Sequence, residues 1–136
     1  MSLTCSIFRE QIKRSFDIMK AIAYNIRNQE KEQLVKANAK RHELTFISNE
    51  FNKDTLTFSL DKEAVILYSI NSLTFDLLSS LKELGVKQII SRTDKPGNDI
   101  IQKAHEYKIT INYIHNSLSE EKKAQQIIKQ LDRGIY

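Results

Sequence analysis

Cysteine, proline, glycine and tryptophan are scarce in this chain of 136 residues, with one, one, three and none respectively. The lone Cys5 excludes an internal disulfide and any zinc cluster built on thiolates, and suits a reducing, cytoplasmic setting. Gly85, Gly97 and Gly134 stand too far apart to form a Gly-rich phosphate loop or a dinucleotide fingerprint. No apolar run approaches the ~20 residues needed to cross a bilayer, and no apolar stretch reads as a signal peptide. Lys/Arg runs never exceed two, and the aromatic residues do not alternate with basic ones. The net charge of +4 is therefore read as scattered, not as a nucleic-acid-binding face.

What is present is ordinary globular material, 40% hydrophobic and 28% charged, enough to repay the ordering of one domain. Residues 1–19 stand apart. Ile7, Phe8, Ile12, Phe16 and Met19 draw one apolar helical face, with Arg9, Lys13 and Arg14 outside it. The stretch is either a helical extension that covers a surface or pairs subunits, or a leader ahead of a start at Met19. Residues 20–136 form the domain proper.

From Lys20 onward apolar strands alternate with helical segments. The strands are Ala21–Ile26, Glu43–Ser48, Ala64–Ser69, Val86–Ser91 and Thr110–Ile114. The third is continuously apolar, as a central strand covered on both faces should be. Asn28 is placed to cap a first helix to about Lys40 with Leu34, Val35 and Ala39 inward, and Asp54 to cap a short segment through Leu60. Asn71 or Ser72 is placed to cap Leu73–Leu84, which Gly85 ends. Asp94-Lys95-Pro96-Gly97-Asn98 is the strongest turn signal, followed by a helix over Asp99–Tyr107 with Ile100, Ile101 and Ala104 inward. Ser117 or Ser119 caps the last helix, whose inward residues are Ala124, Ile127, Ile128 and Leu131.

Five such strands predict an α/β domain with a flavodoxin-like parallel sheet, strand order 2-1-3-4-5, and helices on both faces. Ligands in such sheets bind at the carboxyl ends of the strands. The polar residues falling there are Ser69, Asn71, Arg92, Thr93, Asp94, Lys95 and His115, and these form the candidate ligand loop. Familiar uses of the fold fail one by one. The first strand ends in Tyr24-Asn25-Ile26-Arg27 and the third in Tyr68-Ser69-Ile70-Asn71, with no carboxylate to hold Mg²⁺ or accept phosphate. The loop after the first strand has no glycine to wrap a phosphate. His115 has no carboxylate nearby in sequence for acid–base work, His105 lies within a helix, and His42 starts an edge strand, so all three read as structural. Arg92 and Asp94 read as a surface pair in a solvated turn; the alternative is an anion site supplied by Arg92, Lys95 and the following helix N-terminus.

His42-Glu43-Leu44-Thr45-Phe46, Ala64-Val65-Ile66-Leu67-Tyr68 and, most specifically, Leu81-Lys82-Glu83-Leu84-Gly85-Val86-Lys87-Gln88-Ile89-Ile90-Ser91-Arg92 followed by Asn98-Asp99 resemble the substrate domain of the D-isomer-specific 2-hydroxyacid dehydrogenases, of D-lactate dehydrogenase type. The resemblance covers about residues 20–130. It implies a partner domain carrying the NAD loop and the catalytic Arg, Glu and His, none of which lies within these residues. It also implies a substrate-carboxylate cradle after the fourth strand, where a small residue, Ala and Gly follow Arg. Here Thr93-Asp94-Lys95-Pro96 follow Arg92: Pro96 has no N–H to donate, Lys95 stands for the Gly, and Asp94 repels a carboxylate.

Three readings follow. The chain is a stand-alone, non-catalytic binding or regulatory module; or a split dehydrogenase subunit that uses NAD only when a separate cofactor-domain protein completes it; or a small-anion binder. No catalytic, cofactor-binding or metal-binding residue is assigned. A homodimer is expected, through the last helix or the Ile7/Phe8/Ile12/Phe16 face.

Overall fold

The computed structural model describes residues 18–92, 95–115 and 117–133. Five four-residue strands form the sheet: β1 (Lys20–Ala23), β2 (Glu43–Phe46), β3 (Ala64–Leu67), β4 (Gln88–Ser91) and β5 (Thr110–Tyr113). All pair parallel, in the order β2-β1-β3-β4-β5, as the alternation of elements requires. Four α-helices are present among the described residues: α1 (Asn28–Asn38), α2 (Phe75–Glu83), α3 (Asn98–Glu106) and α4 (Glu120–Arg133). Short 3-10 turns at Leu56–Ser59 and Ile70–Ser72 complete the connections.

The period-two alternation of a strand sorts the core into two layers. Ala21, Ala23, Ala64, Ile66 and Ile90 face one side and pack on Leu34 of α1 and on Ala124, Ile127, Ile128 and Leu131 of α4. Ile22, Tyr24, Val65, Leu67 and Ile89 face the other, against Leu78 and Leu81 of α2 and Ala104 of α3. Alanines at β1 and β3 under α1 and α4 allow those helices to lie close to the sheet. Gly85 ends α2 as expected: its φ of +96° is a left-handed conformation, and the Val86 amide folds back onto the Leu81 carbonyl.

Several local expectations are corrected. The strands are shorter than read: β1 stops before a bend marked by Asn25 with φ of +53°, and β4 starts at Gln88 rather than Val86. α1 ends at Asn38, since Ala39 and Lys40 both turn left-handed. Val35 and Ala39 are exposed, and the inward positions are Leu34 and the polar Asn38. Ile101 is also partly exposed, at 39%. Caps shift likewise. Arg27, not Asn28, precedes α1, with its amide donating to Glu30 Oε1 at 3.3 Å. Asn52, not Asp54, organises the turn before residues 56–59, its Oδ1 accepting from the Asp54 and Thr55 amides at 2.8 and 3.0 Å. Thr74 caps α2 through the Leu77 amide, while Ser69 accepts from the Asn71 amide. Gly97 precedes α3. Ser119 accepts the Lys122 amide at the start of α4, as expected. The helical face expected over the first nineteen residues lies, up to residue 17, outside the described residues, as does Gly134.

Candidate functional site

The strand order reverses between β1 and β3, which makes the carboxyl ends of those two strands the crevice where open α/β sheets take ligands. Arg92 follows β4 directly and fills that crevice from beside it. Its side chain is 4% exposed. Nη2 donates to the carbonyls of Tyr24 at 2.7 Å and Asn25 at 3.0 Å, and Nε to that of Leu67 at 3.4 Å. Nη1 donates to Glu30 Oε2 at 2.5 Å, forming an ion pair in which the carboxylate is 16% exposed. One guanidinium thus ties the ends of β1 and β3 to the first turn of α1. The planar fork suits this task, since several acceptors lie in different directions around it. Burial pushes the Arg92 guanidinium below its ordinary value, and the Glu30 carboxylate works against that shift.

Arg92 is buried rather than solvated, and among the described residues its charged partner is Glu30. Thr93 and Asp94 themselves lie outside the described residues. The ring of Tyr68 covers the guanidinium, its centroid 5.3 Å from Cζ, and divides the crevice into two hollows. One, of about 190 Å³, opens at the N-termini of α1 and α4 and is lined by Arg27, Glu30, Arg92, Lys123 and Ile127 among others. The second, of about 300 Å³, lies between the ends of β1 and β3 and includes Tyr24, Asn25, Phe51, Ser69 and Asn71. Its floor is built by Tyr24, fully buried, stacked edge-on against Phe51 with centroids 5.0 Å apart. The Tyr24 hydroxyl meets the Thr55 carbonyl at 2.9 Å and Ser59 Oγ at 2.7 Å. Burial raises that phenol above its usual value, while the Ser59 contact lowers it.

Of the residues singled out in the sequence, Ser69, Asn71 and Arg92 come together around this crevice. Ser69 and Asn71 shape the 3-10 turn, with Ser72 Oγ donating back to the Ser69 carbonyl at 2.9 Å. Lys95 is exposed on the loop after β4, where Pro96 is buried. His115 is exposed after β5, and its Nδ1 meets Ser117 Oγ at 2.8 Å; no carboxylate contacts it among the described residues. His105 is exposed on α3. His42 is buried at the opposite end of the sheet, bonded to Asp132. Glu30 was not singled out in the sequence: it lies 62 residues from Arg92, and its position in the first turn of α1 explains an acid there without any partner. Among the described residues no group of three or more His, Cys, Asp or Glu side chains is placed to hold a metal ion. No helix among them is long and apolar enough to cross a membrane.

The sequence matches no protein-family model and no curated protein. Solved structures do match, and they define a class: the chain has the fold of part of a D-2-hydroxyacid dehydrogenase, in keeping with the resemblance carried by Leu81–Arg92. Within that class it is similar to the apo D-lactate dehydrogenase of Escherichia coli, at 25% identity and a TM-score of 0.64 over 71% of this chain and 31% of that one. It is similar also to the Salmonella D-lactate dehydrogenase, at 26% identity and a TM-score of 0.63, over 71% of this chain and 30% of that one. The pyruvate reductase of Chlamydomonas reinhardtii shares the fold at 19% identity, with a TM-score of 0.63 over 77% of this chain and 31% of that one. The chain thus spans less than a third of the length of the solved structures it matches.

Proposed function

We propose that this domain is a non-catalytic binding or regulatory module built on the substrate-domain fold of the D-2-hydroxyacid dehydrogenases. The observation that carries this reading is the engagement of Arg92. Arg92, the one buried charge at the strand ends among the described residues, is held by Glu30 and three carbonyls of the protein itself. The histidine nearest that end, His115, has a serine for its partner and no carboxylate among the described residues to orient or activate it. Among the described residues no acid–base pair is assembled at the strand ends, and Pro96 and Lys95 stand where the resembled family's carboxylate cradle would need free amides and close approach. Fold alone does not confer the activity of the relatives. Ligand contact is assigned to Ser69 and Asn71 at the crevice and, as the sequence reading has it, to Thr93, Asp94, Lys95 and His115. The module is proposed to work in the cytoplasm and as a homodimer, with no nucleic-acid or membrane partner.

A second reading is favoured by the share of the relatives' length that is matched, 31% of the E. coli enzyme. In it the domain is one half of a dehydrogenase and uses NAD only with a separate cofactor-domain protein. Calorimetric titration of the 136-residue chain with NAD tests the module reading. No saturable heat is expected, because no glycine-rich loop offers its amides to a pyrophosphate. Saturable binding at micromolar NAD overturns the reading.

A further inference from the structure

At the amino end of the sheet, away from the crevice, a buried histidine extends the β1–β2 ladder. The Met19 amide, one residue ahead of β1, donates to His42 Nδ1 at 3.1 Å, and the Met19 carbonyl accepts the Glu43 amide at 3.0 Å. His42 Nε2 lies 2.7 Å from Asp132 Oδ1 near the end of α4, and Arg41 Nη1 holds the other oxygen of that carboxylate at 2.9 Å. The His42 side chain is 3% exposed. Its backbone is clamped by Asn38, whose Oδ1 accepts the His42 amide and whose Nδ2 donates to the His42 carbonyl, each at 2.9 Å.

This geometry assigns the protons. Nδ1 accepts from an amide N–H, so it carries no proton; the neutral ring therefore bears its hydrogen on Nε2, donated to Asp132. A second proton has one place to go, Nδ1, where it faces the Met19 N–H donor head on. Asp132 accepts from Nε2 in both states and keeps the ring in place, so the contact that fails is the Met19 bond. The charged groups recorded at the ring are Asp132 from α4 and, through it, Arg41. Among the described residues, the chain just ahead of β1 contributes the Met19 backbone and α1 the neutral Asn38 amide. The charged sequence neighbours Lys20, Glu43 and Arg133 are exposed.

We propose that His42 is a proton-operated latch, closed when neutral, which holds the chain leading into β1 onto β2 and α4 and releases it on acidification. The consequence is local. The first rung of the sheet, at Met19 and Glu43, opens while the central strands stay paired.

The test is NMR on the full chain between about pH 7.5 and about pH 5, the range in which an imidazole ordinarily titrates. At the upper pH the imidazole nitrogens should report the Nε2–H tautomer. As the ring gains its second proton, the exchange protection of the Met19 amide, corrected for intrinsic rate, should fall about tenfold, as expected for the loss of one hydrogen bond. Protection of Ile22 and Ile66 should stay constant. In His42→Asn, where the amide oxygen can take the place of Nδ1 but does not titrate, Met19 protection should be independent of pH. An Nδ1–H tautomer at the upper pH, a ring that stays neutral to about pH 5, or a Met19 amide whose protection ignores the protonation of His42 overturns the latch. The first three readouts use the unaltered protein, so they decide the matter even if the variant does not fold.

Discussion

Arg92 is a charge held in the interior by groups that only a folded chain brings together. Removing it from water is costly, and four contacts offset that cost: Glu30 and the carbonyls of Tyr24, Asn25 and Leu67. Breaking such a pair from one side leaves an uncompensated buried charge, which is worse than never having made it. Glu30→Ala is therefore expected to destabilise the fold by about 3 kcal/mol, measured as a shift in the urea midpoint at constant slope. A loss below about 1 kcal/mol, the range of exposed pairs, would show that water reaches the guanidinium. The sequence marks Arg92 as a residue of interest through its place in Leu81–Arg92, yet it does not name Glu30 as a partner. Asp94 is close along the chain, whereas Glu30 is brought close by the β1–α1 turn, and only the three-dimensional register reveals that. His42 repeats the lesson: its structural role is readable from its place at the start of an edge strand, but Asp132, 90 residues away, is not.

At the scale of elements, the sequence carries most of the fold. A continuous apolar run marks β3, the leucine stripe marks α2, and alternation of strand and helix implies parallel pairing, with β2-β1-β3-β4-β5 the order common to such five-stranded sheets. Element ends and helix faces are less legible. Val35 reads as core by its chemistry but is 52% exposed, because Leu34 and Asn38, one turn apart, set the inward face of α1. The inward face of α4 is read correctly: its Ala124, Ile127, Ile128 and Leu131 are all buried. The same fact corrects one expectation. The apolar stripe of α4 packs on α1 and the sheet, so it is not a surface for dimerisation. Ile127, 2% exposed beneath the α1–α4 hollow, should be among the most sensitive positions. Ile127→Ala is expected to cost about 2–5 kcal/mol by chemical denaturation, from lost burial and the cavity left behind. A cost under about 1 kcal/mol would mean that α4 is loosely docked.

For the molecule as a whole, the candidate site is less legible than the fold because its position depends on the fold. Ser69, Asn71 and Arg92 are found at one crevice since the strand ends converge there, while the division of that crevice by Tyr68 and its partial filling by Arg92 depend on side-chain directions no pattern records. With α4 engaged internally, the remaining expected dimer surface is the Ile7/Phe8/Ile12/Phe16 face, which lies outside the described residues. Sedimentation equilibrium at tens of micromolar, a range that suits a weak dimer to order of magnitude, is expected to show a dimer that is lost when Ile12 and Phe16 are changed together to Ser. A monomer throughout would remove the homodimer from the account.

The central claim is binding without chemistry, and a turnover assay tests it most directly. The purified 136-residue chain, with NADH and a 2-oxo acid such as pyruvate, should oxidise no NADH above the protein-free blank, because its buried arginine is engaged by the protein and its one histidine at the strand ends has no carboxylate among the described residues to work with. Reduction of pyruvate in proportion to added chain, retained through further purification, would contradict the account and make the domain an enzyme in its own right.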